Sequence, residues 1–327
     1  MAERLAVIVK SLDTSRPVTA ALASPETNLF ADCLDVVGYN YHEDLYEKDH
    51  SRYPGRVIYG SENGKDLKAW LAVEQNDYIA GLYLWTGIDF LGEAGAWPSR
   101  NSGAGLLDLA GFKKPVAFFW QSLWTDTPMV QLFLRQGKGA EAKSTIVCYT
   151  NCDGVELLRD GESLGAKRLS DSPDRVLRWQ VPSEEGVFSA LGKRQGAVVC
   201  SAEWQAPGAP DRFLVTQDRE TLLGDGKDVA HIEVRIVDSN GIQVEDAQHE
   251  IICEIKGPAK LIGMESGDAQ SHEDYKSNRR KAFRGRFLLY VQSEKEPGEV
   301  AVSLGAKGLP QVSVHIQVEA AASAFAQ

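Results

Sequence analysis

The spacing of apolar residues changes once along this chain, near residue 126, and that change restricts the possible folds more than any other feature. Before it, short apolar segments alternate with helical stretches; the apolar segments lie at 18–21, 36–39, 57–60 and 79–85. After it, apolar residues recur at every second position. These are the periods of helices and of half-buried strands. The chain is therefore predicted to be multidomain, with an α/β part followed by an all-β part.

The α/β part, residues 1–126, joins its strands and helices by short connections. Helical spacing occurs at 29–34, 67–73 and 115–124, and the last of these begins with Pro115. Such alternation predicts parallel βα units. A (β/α)8 TIM barrel needs eight units and roughly 250 residues, so four units are either an open sheet or half of a closed ring. We favour the C-terminal half of a barrel, strands five to eight.

The all-β part is predicted to form two β-sandwich domains. The first covers 127–206 and ends in a linker at 205–210 that contains two prolines and a glycine. The second covers 207–320, where alternating strands are separated by turn signals, a pattern typical of an immunoglobulin-like sandwich. The tail, 321–327, has few residues to bury and is predicted to be frayed.

Composition excludes several classes of function. The 327 residues, 43% hydrophobic and 25% charged, suffice for two or three domains with separate cores. A net charge of −11 disfavours nucleic acid as a partner, and the basic cluster at 279–286 is interpreted as a solvated, charge-mixed strand edge. No apolar run is long enough for a membrane span. The six histidines lack the spacing of zinc ligands, so we expect no metal and no cofactor.

Polar and aromatic residues follow three of the predicted strands at their carboxyl ends, where barrel enzymes carry out catalysis. These residues include Asn40, Tyr41, His42, Glu62 and Trp85. Aromatic faces stack on pyranose rings, while amides and carboxylates bond to their hydroxyls, so the pattern predicts a sugar site. A glutamate after a strand is more often an exposed loop residue. His42 can either contact a sugar hydroxyl or hold the strand end, and both readings stay open.

Short motifs occur in a fixed order along the whole chain. They are Arg-Pro-Val-Thr (16–19), Asp-Val-Val-Gly-Tyr-Asn-Tyr (35–41), Tyr-Gly-Ser-Glu (59–62), Leu-Trp-Thr-Gly-Ile-Asp-Phe-Leu-Gly-Glu (84–93) and, further on, Asp-Gly-Glu-Ser-Leu-Gly (160–165) and Ile-Gly-Met-Glu-Ser-Gly-Asp (262–268). Each motif alone is weak, but the ordered set resembles the C-terminal portion of glycoside hydrolase family 2, in its bacterial β-galactosidase branch.

The resemblance implies a retaining glycosidase that acts on a β-galactoside or a related oligosaccharide. Glu62 matches the family's catalytic nucleophile, and Tyr41 matches the tyrosine that hydrogen-bonds to it. The resemblance also implies a set of substrate-binding residues, namely Asn40, His42, Trp85, Asp89, Trp97 and Arg100. A tyrosine hydroxyl that donates to a carboxylate favours its charged form, which a nucleophile requires.

The acid/base half of the family's mechanism has no counterpart here. In the family, the acid is the glutamate of an Asn-Glu pair that ends strand four, and this chain contains no Asn-Glu pair. Glu26 and Glu93 do not follow the pattern, and neither is given the role. We therefore expect a truncated or split reading frame with little activity alone, completed by a missing N-terminal half of the same enzyme.

A non-catalytic alternative remains. The two sandwiches could bind carbohydrate or act as a scaffold, with the half-barrel vestigial.

Family members with these C-terminal domains are often periplasmic or secreted, whereas no signal peptide is visible in this sequence.

Overall fold

Four parallel strands form the first sheet of the chain, in a computed structural model that describes residues 1–23, 28–137, 143–182 and 185–321. The sheet order is β1-β2-β3-β4, so each strand lies beside its neighbour in sequence. The bounds are β1 Thr19–Leu22, β2 Val36–Asn40, β3 Val57–Asn63 and β4 Ile79–Leu84. Each agrees with its predicted segment to within three residues.

Helices precede, connect and follow these strands. The helices are α1 Ala2–Leu12, α2 Asn28–Ala31, α3 Tyr46–Arg52, α4 Leu67–Glu74 and α5 Pro115–Trp124. Helix α3, with the 3-10 turn Glu43–Leu45 before it, was not predicted. Its sequence is largely polar, and only Tyr46 and Asp49 of α3 are buried, so it lacks the apolar stripe that marks a helix.

A short antiparallel pair follows β4 and is important for the site. Its strands are β5 Phe90–Leu91 and β6 Asn101–Ser102, with Phe90 opposite Ser102 and Leu91 opposite Asn101. The Gly92 N–H donates to the Arg100 carbonyl at 3.1 Å and closes the pair. We call the segment 90–102 the rim hairpin.

The second part of the chain has two sheets, ordered β10-β9-β12-β13 and β11-β8-β7. The strands are β7 Val130–Arg135, β8 Ser144–Thr150, β9 Gly154–Arg159, β10 Glu162–Arg168, β11 Leu177–Val181, β12 Val187–Arg194 and β13 Ala197–Gln205. Buried residues of both sheets, among them Ile146 and Phe188, form one apolar cluster. Two sheets around a shared core make a β-sandwich, here called the middle sandwich.

The last part also has two sheets, ordered β14-β16-β20-β18 and β15-β22-β21-β17-β19. The strands are β14 Arg212–Gln217, β15 Thr221–Gly224, β16 Val229–Val237, β17 Glu250–Lys256, β18 Ala259–Glu265, β19 Arg279–Lys281, β20 Arg286–Ser293, β21 Gly298–Ala306 and β22 Leu309–Ala320. Both sheets contribute to the largest apolar cluster, which lies within 213–318. We call this unit the C-terminal sandwich.

One expectation about side-chain exposure was wrong. The basic cluster at 279–286 is not solvated throughout, because Arg280 is completely buried and bonds to Glu265 at 3.1 Å, and Arg286 lies 3.2 Å from Asp108. Trp124, at the end of α5, is 53% exposed. The predicted frayed tail lies, apart from residue 321, outside the described residues.

No helix within the described ranges is long and apolar enough to cross a membrane.

Candidate active site

Three neighbouring strands, β2, β3 and β4, end at the same edge of the sheet, because parallel strands share the direction of their carboxyl ends. Strand β3, which carries Glu62, lies between β2 and β4. Asn40 is opposite Glu62 in the ladder, and the Tyr41 N–H donates to the Glu62 carbonyl at 2.7 Å. Trp85 directly follows β4, whose last residue pairs with Asn63. Tyr41, Glu62 and Trp85 therefore belong to one rim.

Glu62 and Tyr41 also interact through their side chains. The Tyr41 hydroxyl lies close enough to the Glu62 carboxylate for the charge of that carboxylate to act on the phenol. Burial first, and then the charge of Glu62, raise the pKa of the Tyr41 phenol, so the phenol keeps its proton and stays a donor near neutral pH. Tyr41 has a positive φ of 56°, a backbone conformation that is uncommon for a residue other than glycine. The chain turns there, just after β2, and leaves the ring 49% exposed.

Close backbone packing supports the end of β3. A Cβ at Gly38 would lie 2.8 Å from the Ser61 side chain, and the Ser61 hydroxyl donates to Asn40 Oδ1 at 2.6 Å. Asn40 is thus held at the strand end through its carbonyl oxygen. The Asn63 side chain lies over Gly60, where a Cβ would be only 1.9 Å from Asn63 Oδ1. These contacts explain why glycines occur within two short strands.

Two supporting residues were missed by the sequence analysis. Asn63 is buried, and its Nδ2 donates to Glu43 Oε1 at 2.9 Å and to the Tyr46 hydroxyl at 3.2 Å. Glu43 also accepts from the Gly64 N–H at 3.4 Å. These bonds attach the end of β3 to the turn and helix after β2. The only available signal was the position of Asn63 beside Glu62.

His42 is positioned by the backbone. One of its ring nitrogens, Nε2, lies 2.8 Å from the carbonyl oxygen of Ala23, just after β1. Of the two readings left open for His42, this contact favours a role in holding the strand ends together.

Trp85 stands at the base of the rim hairpin. Its ring is 39% exposed and packs edge-to-face on Phe90, with 5.9 Å between the ring centroids. The Trp85–Thr86 peptide bond is cis. An indole with one face packed and part of its surface open is suited to contact the apolar face of a sugar ring.

Asp89 is buried and engaged in the fold. Its Oδ1 accepts from Lys114 Nζ and from the Gly105 N–H, both at 2.7 Å. A Cβ at Gly105 would lie 2.2 Å from the Asp89 backbone nitrogen, so only glycine permits this approach. Asp89 and Lys114 line a cleft of about 700 Å³ that also has walls from the C-terminal sandwich.

Trp97 and Arg100 extend from the rim hairpin to the C-terminal sandwich. The Trp97 ring is 80% exposed and lies 4.5 Å from the His272 ring, centroid to centroid. Arg100 Nη2 donates to the Tyr275 hydroxyl at 2.8 Å, and the Arg100 N–H donates to the Ala269 carbonyl at 3.1 Å. The sequence analysis placed Trp97 and Arg100 in the site, but it did not predict that they contact the C-terminal sandwich.

Two other carboxylates lie near Tyr41. Glu43 and Glu93 are close enough to raise the pKa of Tyr41 further, but Glu43 is bonded to Asn63 and Gly64. Glu26 lies outside the described residues. Within the described ranges, histidine, cysteine, aspartate and glutamate form no group of three or more that could hold a metal ion. The rim thus presents the Glu62 carboxylate together with the Tyr41 phenol and the Trp85 indole.

Parts of the chain match known protein families. Residues 214–315 match the family described as glycoside hydrolase family 2 C-terminal domain 5, and residues 141–200 match a domain of unknown function, DUF4982. The chain is 30% identical to β-galactosidase BoGH2A of Bacteroides ovatus, over 98% of this chain and 44% of that protein. It is also 30% identical to a putative β-glucuronidase of Formosa agariphila, over 72% of this chain and 24% of that protein.

Solved structures show the same relationship. A glycosyl hydrolase family 2 member from Bacteroides cellulosilyticus superposes with a TM-score of 0.92 and 30% identity, over 97% of this chain and 47% of that one. A β-glycosidase from Bacteroides vulgatus superposes with a TM-score of 0.86 and 25% identity, over 96% of this chain and 48% of that one. This chain thus spans about half the length of these relatives. It belongs to glycoside hydrolase family 2 and corresponds to the C-terminal portion of such an enzyme.

Proposed function

We propose that Glu62 is the nucleophile of a retaining β-glycosidase, and that the four parallel strands are the second half of its (β/α)8 barrel. The observation that carries this proposal is the position of Glu62. Its backbone carbonyl accepts the Tyr41 N–H at 2.7 Å, and its carboxylate lies close enough to the Tyr41 hydroxyl to raise the pKa of that phenol. Its strand lies between the strand that precedes Tyr41 and the one that precedes Trp85. Carboxyl ends of barrel strands are where such enzymes place their catalytic groups.

The chemistry follows from the properties of a carboxylate nucleophile. One oxygen of Glu62 attacks the anomeric carbon, the bond to the leaving oxygen breaks, and a covalent glycosyl ester forms. Water later displaces the sugar and releases the carboxylate. The Tyr41 hydroxyl orients the nucleophile, and the Trp85 ring provides a face for the sugar. Asn40, Asp89, Trp97 and Arg100 complete the substrate-binding rim, with Asp89 acting from within the fold through its bond to Lys114.

The leaving oxygen must also receive a proton. Retaining enzymes use a second carboxyl about 5 Å from the nucleophile for this step. We propose that a segment or polypeptide outside this sequence supplies it, because no Asn-Glu pair occurs here. Absence of the acid alone would slow the reaction by roughly 10²–10⁴. The relatives' names, β-galactosidase and β-glucuronidase, point to a β-glycoside as substrate, and we propose a galactoside.

The nucleophile can be tested without the acid. A dinitrophenyl galactoside with fluorine in place of the hydroxyl next to the anomeric carbon has a leaving group that departs unprotonated, and the fluorine slows hydrolysis of the ester. We expect the purified chain to gain the mass of one fluorogalactosyl group, on the peptide that contains Glu62. Glu62→Gln should abolish the gain, whereas Glu93→Gln, a change at an exposed neighbouring carboxyl, should retain it.

Two results would contradict the proposal. One is labelling on a carboxyl other than Glu62. The other is no labelling, combined with galactose binding by calorimetry that survives both Glu62→Gln and Trp85→Ala. That second result would favour a carbohydrate-binding role for the sandwiches.

A further inference from the structure

We propose that the C-terminal sandwich takes part in substrate recognition. Its loop 266–275 holds the rim hairpin and adds His272 to Trp97, so that the two rings form a platform for the leaving group of the glycoside. This inference rests on the proposed function, since it concerns the outer part of the same site.

The rim hairpin connects the nucleophile's surroundings to the C-terminal sandwich. It starts beside Trp85, whose ring packs on Phe90. Its strands pair at Phe90 and Leu91, and its turn begins at Glu93, whose charge is near enough to Tyr41 to affect the pKa of that phenol. Trp97 follows at the far side of the turn. The rim hairpin therefore leads outward from the reacting centre. The leaving group of a bound glycoside must lie on this outer side.

Three hydrogen bonds attach the far side of the hairpin to loop 266–275. The Arg100 N–H donates to the Ala269 carbonyl at 3.1 Å, and Arg100 Nη2 donates to the Tyr275 hydroxyl at 2.8 Å. One ring nitrogen of His272, Nε2, lies 3.0 Å from the Pro98 carbonyl oxygen. Together these bonds connect the rim hairpin to the C-terminal sandwich on both sides of Ser99, so the position of Trp97 depends on that sandwich.

The loop itself is anchored in the core of the C-terminal sandwich. Glu265, at the end of β18, is buried and accepts from the Ser266 and Gly267 N–H groups at 2.7 and 2.8 Å. Arg280 bonds to the same carboxylate and lies over the Tyr275 ring, 4.7 Å from its centroid. A residue that reaches the hairpin, Tyr275, thus packs on a fully buried guanidinium. The loop is thus supported by a buried ion pair.

The platform presents aromatic surface to solvent. Trp97 is 80% exposed even though its ring lies 4.5 Å from that of His272, at an angle of 39°. An indole that is held in place and still open loses little conformational entropy when a ligand stacks on it. Aryl groups and the apolar faces of pyranose rings are the chemical groups that stack on such a surface. The leaving group is therefore expected to be an aryl group or a further sugar.

The test compares two reagents that place the same fluorogalactosyl group on Glu62. The first reagent has the aromatic dinitrophenyl leaving group. The second, a fluorogalactosyl fluoride, has fluoride as its leaving group, which contains no ring. We expect Trp97→Ala and His272→Ala to lower the second-order labelling rate of the aryl reagent by roughly fivefold to tenfold, the effect of one aromatic contact. The rate with the fluoride should fall much less, since that leaving group has no ring to stack on the platform.

Two controls separate recognition from folding. Trp124→Ala removes another exposed tryptophan, 53% exposed on α5, and should leave both rates unchanged. His272→Phe keeps a ring beside Trp97 and should restore most of the aryl selectivity. The inference would be overturned if Trp97→Ala lowered both labelling rates equally, or if both alanine variants kept the ratio of the aryl rate to the fluoride rate. In either case, labelling of Glu62 would still support the proposed function. If neither reagent labelled the chain, both the inference and the proposed function would be overturned.

Discussion

Tyr41 and Glu62 illustrate how two residues on separate strands become a chemical pair. Their backbones are joined by a 2.7 Å hydrogen bond, and the positive φ of Tyr41 turns the chain at the strand end. The hydroxyl then lies near the carboxylate, whose charge raises the pKa of the phenol. Orientation of the nucleophile is thus determined by the backbone of the neighbouring strand, and the phenol adds a donor whose raised pKa keeps it protonated.

Tyr41→Phe tests the contribution of this donor. A hydrogen bond to a charged group contributes about 1.5–3 kcal/mol, so we expect the rate of Glu62 labelling to fall by roughly tenfold to a hundredfold. The melting temperature should change little, because the ring is half exposed. A labelling rate equal to that of the unmodified chain would show that Tyr41 does not assist the nucleophile.

Asp238 offers a separate test at the scale of one carboxyl. It is buried at the end of β16, and the Gly208 N–H, at 2.8 Å, is the main cause of a pKa below the ordinary 3.8; the Ile242 and Asn240 N–H groups add to it. A carboxyl with a lowered folded-state pKa stabilises the fold fully above its unfolded pKa, and this contribution disappears as pH falls through the folded pKa.

We therefore expect Asp238→Asn to lower the melting temperature at pH 7, and the difference from the unmodified chain to narrow as pH falls below 3.8. Thermal unfolding followed across that range provides the measurement. A difference that stays constant, or widens, in acid would contradict the assigned cause.

At the scale of elements, strands β18 and β19 contain the most consequential polar pair of the C-terminal sandwich. Arg280 of β19 is completely buried, and its partner Glu265 of β18 has a side chain only 8% exposed. Their neighbour Arg279 points the other way, and its side chain is 59% exposed. Alternation along the strand therefore puts one of two adjacent arginines in the core and the other in solvent.

Arg280→Ala should destabilise the C-terminal sandwich by about 3–5 kcal/mol, because it leaves the buried Glu265 carboxylate without its counter-charge. Arg279→Ala, the matched control, should change stability by no more than about 1 kcal/mol. Denaturant unfolding with a probe in the C-terminal sandwich measures both. Similar losses for the two variants would mean that the buried pair has no special role.

At the scale of the whole molecule, the three units are joined by two different kinds of interface. Helix α5 packs on the middle sandwich through apolar side chains, with Phe119 and Tyr149 5.7 Å apart between ring centroids. The C-terminal sandwich is joined through polar contacts, including the Asp108–Arg286 pair and the bonds of Arg100. Burial raises the pKa of Asp108 although Arg286 opposes this, as expected of a carboxyl enclosed between domains.

Calorimetry should therefore resolve at least two unfolding transitions, since the apolar core of the C-terminal sandwich contains only residues of 213–318. Ile232→Ala should lower the temperature of one transition, and Ile146→Ala, in the middle sandwich, should lower the temperature of the other. Each substitution should reduce the free energy of unfolding by about 2–5 kcal/mol. A single transition that both variants shift equally would show that the units unfold as one.

Sequence patterns predicted the elements well where burial follows a regular period. The parallel strands and helix α5 were placed correctly because their apolar residues repeat at strand or helix spacing. Several strands, such as β15 and β19, were missed, since both are short and β19 consists of charged residues. The polar helix α3 was missed for the same reason.

By itself, the sequence determined the change from α/β to all-β structure, the family, and the position of Glu62 at a strand end, because each depends on local spacing or on ordered motifs. Only the tertiary structure decided which charges are buried, that Asp89 bonds to Lys114, and that the rim hairpin rests on the C-terminal sandwich. These outcomes depend on partners that are far apart in the chain: Arg100 and Tyr275 are separated by 175 positions. Spacing along a segment carries no information about a partner that only folding brings near.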